Sequence, residues 1–498
     1  MAVAVTLSLA LLSIAPKPSL HTLRPTPLIA SLRTQPLKLC ESEPESGRAV
    51  RSKILNIAAP AFVGLAIDPV ASLVDTAFVG RCCGSADLAG TAVAVAIFSL
   101  VSKTFNFLGS ATTTFVAEAS SADAAPGEFS VEMARVAAAS VVMALALGTC
   151  IALGLLAGGG PLLSRLGLAA GSPMRAPAQR YLALRAASAP AVMAVQALQG
   201  AYRGARDSAT PLAALGAATV LNIVLDALLI PSRCLGWGVA GAAIATAASQ
   251  IFGALWLLRN MQVSCGAACR VDGAAPLPLL ALPAPRVADC KKVAKAGGSL
   301  TLRTFTGVGA LSYSSAAASA LGAAVGAGHA IAFQVWLSAS LLADAVAVGA
   351  QALLAQAVAA ADRARARLVA RETLRLGLAM GAALTLALAA GGAPIRGLFS
   401  SDAAALGAAA AVWPLVVASQ PLNAMAFVID GLLFGARDFN FCAVQVVVAS
   451  AASVAVMRWA GRGLAGVWLG LGLFMGLRGV LGVARIASRR GPWRVLRE

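Results

Sequence analysis

Apolar runs close to the ~20 residues needed to cross the hydrocarbon core of a bilayer recur from Lys53 onward, parted by short stretches of Arg, Gly and Pro. They predict helical spans over 54–79, 88–115, 132–158, 178–203, 210–230 and 238–259, then 294–317, 325–356, 371–391, 405–434, 439–459 and 463–486. Residues 260–292, between the sixth and seventh spans, hold several prolines and end in basic residues, the composition of a linker. The pattern is that of an all-α polytopic chain with no stretch left over for a soluble domain.

The two halves repeat each other. Gly204-Ala205-Arg206-Asp207 follows the fourth span, and Gly435-Ala436-Arg437-Asp438 follows the tenth. Gly236-Trp237-Gly238-Val239-Ala240-Gly241 precedes the sixth span, and Gly461-Arg462-Gly463-Leu464-Ala465-Gly466 precedes the twelfth. Both motifs fall at the same places in a unit of six spans. The expected fold is therefore twelve transmembrane helices in two pseudo-symmetric six-helix bundles, an N-terminal lobe over 49–259 and a C-terminal lobe over 293–486, with a basic tail at 487–498. An even number of spans per unit gives both copies the same orientation, so the lobes should be related by an axis along the membrane normal and should face each other across a cavity. Lys and Arg concentrate on the side that holds both termini, as in Arg51, Lys53, Lys291, Lys292, Arg363 and Arg489, which turns that side toward a cytosol-like compartment.

Composition supports this reading and removes others. Hydrophobic residues make up 59% of the 498 and charged residues 12%, a balance no water-soluble core can absorb. The net charge of +18 is scattered over span ends instead of clustered on one face, so a nucleic-acid partner is not expected. The nine cysteines show no CxxC pair and no His at metal-ligand spacing, and are expected to be mostly buried thiols with no metal and no cofactor. Residues 1–40 contain no Asp or Glu, carry Lys17, Arg24, Arg33 and Lys38, and are rich in Ser, Thr, Leu and Pro. That is the signature of an organelle transit peptide, expected over 1–48. A chloroplast envelope is favoured, with a mitochondrial membrane as the alternative; a secretory signal lacks the basic residue it needs before Met1–Ile14.

Charged groups at bilayer depth cost about 2.5–3.5 kcal/mol each on insertion scales, so those in mid-span are functional candidates. Here they are Asp68, Asp75, Asp226, Asp344, Asp430 and Arg303. Asp68 and Asp75 share one face of the first span, and Pro69 is expected to bend it. Asn222 and Asp226 lie one turn apart on the fifth span, where an amide and a carboxylate either share a proton, offer oxygens to a sodium ion, or merely clamp two helices together. Thr246 and Gln199 are the residues placed to complete such a site. Arg303 with Asp344 or Asp430 reads either as an ion pair or as a docking charge for an anionic solute. Phe105, Phe107, Tyr313, Trp336, Met425 and Phe427 are candidates to line the cavity, and His329 reads as a packed residue more readily than as a proton relay.

Val74-Asp75-Thr76-Ala77-Phe78-Val79-Gly80-Arg81 with Asp87-Leu88-Ala89-Gly90 resembles the first-span signature of the multidrug and toxic compound extrusion (MATE) transporters. So do Tyr202-Arg203-Gly204-Ala205-Arg206-Asp207-Ser208-Ala209-Thr210-Pro211, Asn222 with Asp226, and Gln420-Pro421-Leu422-Asn423 with Asp430-Gly431. Ile67-Asp68-Pro69 is similar to the DinF-like branch, some of whose plant members are plastid proteins. The resemblance implies the MATE fold and a monomeric secondary antiporter that exports a small organic solute in exchange for H+ or Na+. It implies further that Asp75, Asn222 and Asp226 form the cation site, with Thr246 close by and Gln199 where relatives can have Asn. An acidic residue found on the seventh span of bacterial multidrug members is replaced by Arg303, which places ion coupling in the N-terminal lobe. The competing functions are a lipid or glycan-lipid flippase, which calls for extra helices or a cationic cavity, and an enzyme, for which no HExxH, GxSxG or phosphate loop is present.

Overall fold

The computed structural model describes residues 46–120, 125–165, 168, 171–231, 234–269, 283–400, 402–459 and 463–496; the expected transit peptide, except for its last three residues, and the middle of the linker lie outside them. The described chain is helical throughout. In order the helices are α1 (Gly47–Cys82), α2 (Ser85–Thr104), α3 (Phe107–Ala119), α4 (Val131–Arg165), α5 (Arg175–Gly204), α6 (Ala209–Leu229), α7 (Gly238–Cys269), α8 (Val287–Ala320), α9 (Ala323–Ala359), α10 (Arg363–Ala390), α11 (Gly392–Gly397), α12 (Ala403–Ala418), α13 (Gln420–Gly435), α14 (Phe439–Trp459) and α15 (Leu464–Ala487), followed by a 3-10 turn at Gly491–Leu496.

Among the described residues nine helices are long and apolar enough to cross a membrane, counting α2 with α3, and α12 with α13 makes ten. The remaining two spans of the expected twelve are α1, 36 residues long, and α8, 34 residues long. In α8 the apolar stretch is diluted by Ser299, Thr301, Arg303, Thr304, Thr306 and Ser312.

The expectation that every span is one continuous helix is corrected. The second span breaks at Phe105–Asn106 and the tenth bends by 53° at Ser419, where each was read as one continuous helix. α1 runs as one helix across Pro69. Several helices outrun a tilted span: at 37 residues α9 is about 55 Å long, against roughly 40–45 Å for a bilayer with its headgroups.

The repeat seen in the sequence is a repeat in three dimensions. Helix pairs α1–α6, α3–α5, α4–α5, α5–α7 and α6–α7 of the first half pack as α8–α14, α9–α13, α10–α13, α13–α15 and α14–α15 pack in the second. The reason is local. A Cβ on Gly200 or Gly204 of α5 would stand 2.3 Å from the Gly109 carbonyl oxygen or 2.7 Å from that of Thr113 on α3. On Gly431 or Gly435 of α13 it would stand 2.5 Å from the Ala347 oxygen or 2.8 Å from the Gln351 oxygen on α9. Two small residues one turn apart let the backbones meet, the usual device where helices associate by van der Waals packing. After each Gly-Ala step the chain leaves the helix through a left-handed arginine, Arg206 at φ 61° and Arg437 at φ 58°. Asp207 N then reaches back to the Tyr202 carbonyl at 2.9 Å, and Asp438 N to that of Leu433 at 2.8 Å.

Gly200→Ala and Gly431→Ala should therefore each cost about 1–3 kcal/mol and lower the thermal unfolding temperature in detergent. Gly154→Ala, whose Cβ meets nothing within 4 Å, should be neutral or slightly stabilising.

The halves are joined on the side of the termini. Gln351 Nε2 donates to the Ser110 carbonyl at 2.7 Å and to Thr114 Oγ1 at 2.9 Å, and Thr114 Oγ1 donates to the Phe434 carbonyl at 3.0 Å. Arg437 grips both Glu118 oxygens at 2.8 Å, Arg51 meets Glu372 at 3.0 Å, and the Phe107 ring lies over Gly297. Trp493 of the 3-10 turn is fully buried on the same side and donates from Nε1 to Asp438 Oδ2 at 3.2 Å, so the expected basic tail is packed structure as far as Leu496. Of the seven cysteines whose side chains are described only Cys265 and Cys442 are buried; Cys82, Cys150 and Cys234 are exposed, which corrects the expectation of mostly buried thiols. None of these seven is in a disulfide, and among the described residues no group of His, Cys, Asp or Glu is arranged to hold a metal.

Candidate functional site

The N-terminal half gathers its polar side chains between α1, α5, α6 and α7. Asn222 and Asp226 occupy one face of α6 and are both buried, at 3% and 0% exposure. Asp75 comes in from α1 to hydrogen-bonding reach of Asp226. Two carboxyl groups in such contact form a hydrogen bond only when a proton lies between them. Neither Asp226 oxygen has a donor among the described residues, nor has Asp75 Oδ1, and the Asn222 amide nitrogen is without an acceptor. Thr246 Oγ1 on α7 stands 3.4 Å from Asp75 Oδ2 while it donates to the Ala242 carbonyl at 2.8 Å, and the Tyr181 hydroxyl is within hydrogen-bonding reach of Thr246.

Buried polar atoms without partners cost about 1–3 kcal/mol each. A cluster of them in an otherwise apolar bundle has the chemistry to take up a proton or a small cation. Asp75, Asn222, Asp226 and Thr246 are thus brought together. Gln199 is not: it lies roughly five turns beyond Tyr181 along α5, where it accepts from Arg203 at 3.4 Å. Asp68 lies on α1, and its side chain is outside the described residues.

Sequence reasoning missed Arg185. It sits on α5 at 6% exposure, donates to Gln250 Oε1 of α7 at 2.5 Å and to Ser188 Oγ at 3.1 Å, and covers the Phe98 ring at 4.3 Å. Its charge acts on Asp75 and Tyr181 without a direct ion pair among the described residues. The rule that singled out Arg303, a basic residue in mid-span, finds Arg185 too.

In the C-terminal half Asp430 on α13 is the centre. It accepts from Arg303 of α8 and from Arg478 of α15, the latter at 2.5 Å, and Gln445 Nε2 of α14 donates to its second oxygen at 3.1 Å, with the Cys442 thiol at 3.6 Å. Arg478 is as buried as Asp430, whereas the Arg303 side chain keeps 21% exposure. Of the two readings left open for Arg303, the ion pair with Asp430 is formed. Asp344 is half-buried on α9 and lies in the field of Arg203, Arg303, Arg478 and Asp430, charges that belong to both halves.

The cavity candidates divide. Phe427 and Phe474 lie under the Arg478 guanidinium, and Tyr313 under Arg458; Met425 is half-buried beside Gly377. Trp336 is 1% exposed, packed edge-on to Trp468 and stacked on Phe333, and so belongs to the core of the C-terminal half and not to a cavity wall. His329 is stacked on Phe333 at 5.4 Å in the same cluster, as a packing residue. A cavity of about 220 Å³ bounded by Phe115, Glu118, Glu132, Asp289 and Lys292 lies on the side of the termini, away from all of these residues.

The model of the family described as MatE matches residues 60–228 and 299–459, one match in each half. Protein DETOXIFICATION 44, chloroplastic, from Arabidopsis thaliana is 40% identical over 451 residues, covering 89% of this chain and 84% of the relative. Protein DETOXIFICATION 45, chloroplastic, from the same plant is 36% identical over 463 residues, covering 89% and 80%. Among solved structures, the crystal structure of a MATE in the bent conformation superposes with a TM-score of 0.74 at 18% identity, covering 90% of this chain and 98% of that one. A MOP superfamily transporter from Pyrococcus furiosus Vc1 superposes with a TM-score of 0.73 at 18% identity, covering 90% and 97%.

Proposed function

Because the chain belongs to the MatE family of membrane efflux transporters, we propose that it is a secondary antiporter that exports an organic solute in exchange for a proton or a sodium ion. The observation that carries this reading is the Asp75–Asp226 pair with its unpartnered oxygens, lodged among apolar helices beside Asn222 and Thr246. A carboxyl pair that gains or loses one cation changes the charge buried in the bundle. A change of that kind biases two arrangements of the helices only if the cation binds them unequally.

The ties between the halves at Gln351, Thr114, Arg437 and Glu118 support a conformation sealed on the side of the termini. Alternating access then consists in breaking that seal and forming one at the opposite ends. Asp344, reached by charges from both halves, faces the solute path, with Arg303, Phe427 and Met425 as its neighbours on the C-terminal side. Arg303 and Arg478 are both engaged by Asp430, which takes from the C-terminal half the cationic pair that a pyrophosphate-headed lipid would draw on. The acid-free leader and the chloroplastic relatives support a plastid membrane, with the envelope as the site.

The test is uptake of a panel of labelled organic anions and cations into proteoliposomes under separate proton and sodium gradients. The reading expects at least one solute to be driven against its gradient by one of the two ions. No gradient-dependent movement of any solute by an active, correctly inserted protein would overturn it.

A further inference from the structure

Arg185 has no role in the exchange described above, yet a guanidinium at 6% exposure is among the costliest groups to bury in a bundle. It cannot shed its proton. Its hydrogen-bond partners, Gln250 and Ser188, are neutral, and it forms no ion pair within 4 Å among the described residues. What offsets its charge is the carboxyl pair: Asp75 of α1 lies in its field directly, and Asp226 of α6 through Asp75. The other elements around it supply no further charge at this depth. Tyr181 is the titratable neighbour on α5 itself, α7 presents Thr246, Ser249 and Gln250, α2 presents Phe98, and α4 carries no charged residue between Arg135 and Arg165.

We propose that Arg185 is the specificity-determining residue of this site, restricting the Asp75–Asp226 pair to a single exchangeable cation and making that cation a proton. The inference rests on the pair being the coupling site, and two features carry it. The fixed positive charge balances one of the two carboxylates, so one further cation makes the cluster neutral. The grip on Gln250 Oε1 removes from α7 an oxygen one turn beyond Thr246, where a sodium ion between the helices would draw on it. Sodium needs several oxygens at once and stays an ion beside the guanidinium, whereas a proton, which meets the same repulsion, is compensated by a covalent O–H bond. A proton needs only the pair itself.

The experiment is saturable binding of 22Na+ to the purified full-length chain at about pH 6 and about pH 8, together with proton uptake on a pH step, each spanning the ordinary titration range of a neutral-pH site. Wild type is expected to take up protons and to show no saturable sodium. Arg185→Gln, which removes the charge and frees Gln250, is expected to gain saturable sodium binding at least roughly tenfold tighter than any residual wild-type binding, the scale of losing one nearby charge at an effective dielectric near 20. That binding should weaken at the lower pH and vanish in the Arg185→Gln/Asp226→Asn double variant. Arg185→Lys keeps the charge and should still exclude sodium.

Saturable sodium binding by wild type that Asp226→Asn abolishes would overturn the inference without any Arg185 variant having to fold. So would a failure of Arg185→Gln, melting as wild type does, to bind sodium. Wild-type proton uptake left unchanged by Asp226→Asn would instead sink the assignment of the coupling site, a separate result.

Discussion

Asp430→Ala is expected to destabilise the C-terminal half by about 3–5 kcal/mol, the cost of breaking a buried charge pair from one side. Asp430 holds Arg303 and Arg478 at once, and Arg478, at only 4% exposure, forms no other ion pair within 4 Å among the described residues. With Asp430 gone, the Arg478 guanidinium keeps contacts to Met475 and to the Phe427 and Phe474 rings, none of which neutralises it. Arg303 suffers less, since its side chain reaches solvent space. Pairing Asp430→Ala with Arg478→Met should therefore recover a large part of the loss in thermal stability in detergent. Pairing it with Arg303→Met should recover less. Equal recovery by the two double variants would mean that burial does not rank the two arginines as described.

The second large effect is on transport. Asp226→Asn keeps the size of the side chain but fixes it neutral, so the pair with Asp75 can no longer gain and lose a charge. Solute flux driven by the ion gradient should fall by at least roughly 100-fold, the scale at which loss of a coupling energy of about 3 kcal/mol is felt. Flux of the same solute down its own gradient should survive, because the cavity and the helix packing are untouched. Loss of both would indicate a structural fault, and unchanged gradient-driven flux would move coupling to Asp344 and Asp430.

Much of the fold could be read from the chain because it is written in short, repeated steric rules. Gly204 and Gly435 occupy the same place in each half, and the structure has them doing the same thing, admitting a carbonyl from a neighbouring helix where no side chain fits. The breaks at Phe105 and Ser419 have local signals, Lys103-Thr104 and Asn106 at the first and Gln420-Pro421 at the second, that are masked because the apolar runs on either side add up to one span length. The direction a side chain takes was equally hidden for Trp336: a helix apolar on nearly every face has no periodicity to separate the core from the cavity. Within the candidate site, Asn222 and Asp226 were legible from their spacing, while Arg185, mid-span though it is, follows Arg175 and Arg180 on the same helix and reads in the sequence as one more basic residue near a span end. Only the structure brings Arg185 beside Asp75, and only the structure gives Gln199 to Arg203.

The coupling claim is tested most directly by trapping a pH-reporting dye inside proteoliposomes of the full-length chain and following proton movement when a transported solute is added outside. The account predicts proton flow opposite to the solute in wild type, and none in either Asp75→Asn or Asp226→Asn, because the two carboxyls hold one proton between them. Solute-evoked proton flow at the wild-type rate in both variants would contradict it.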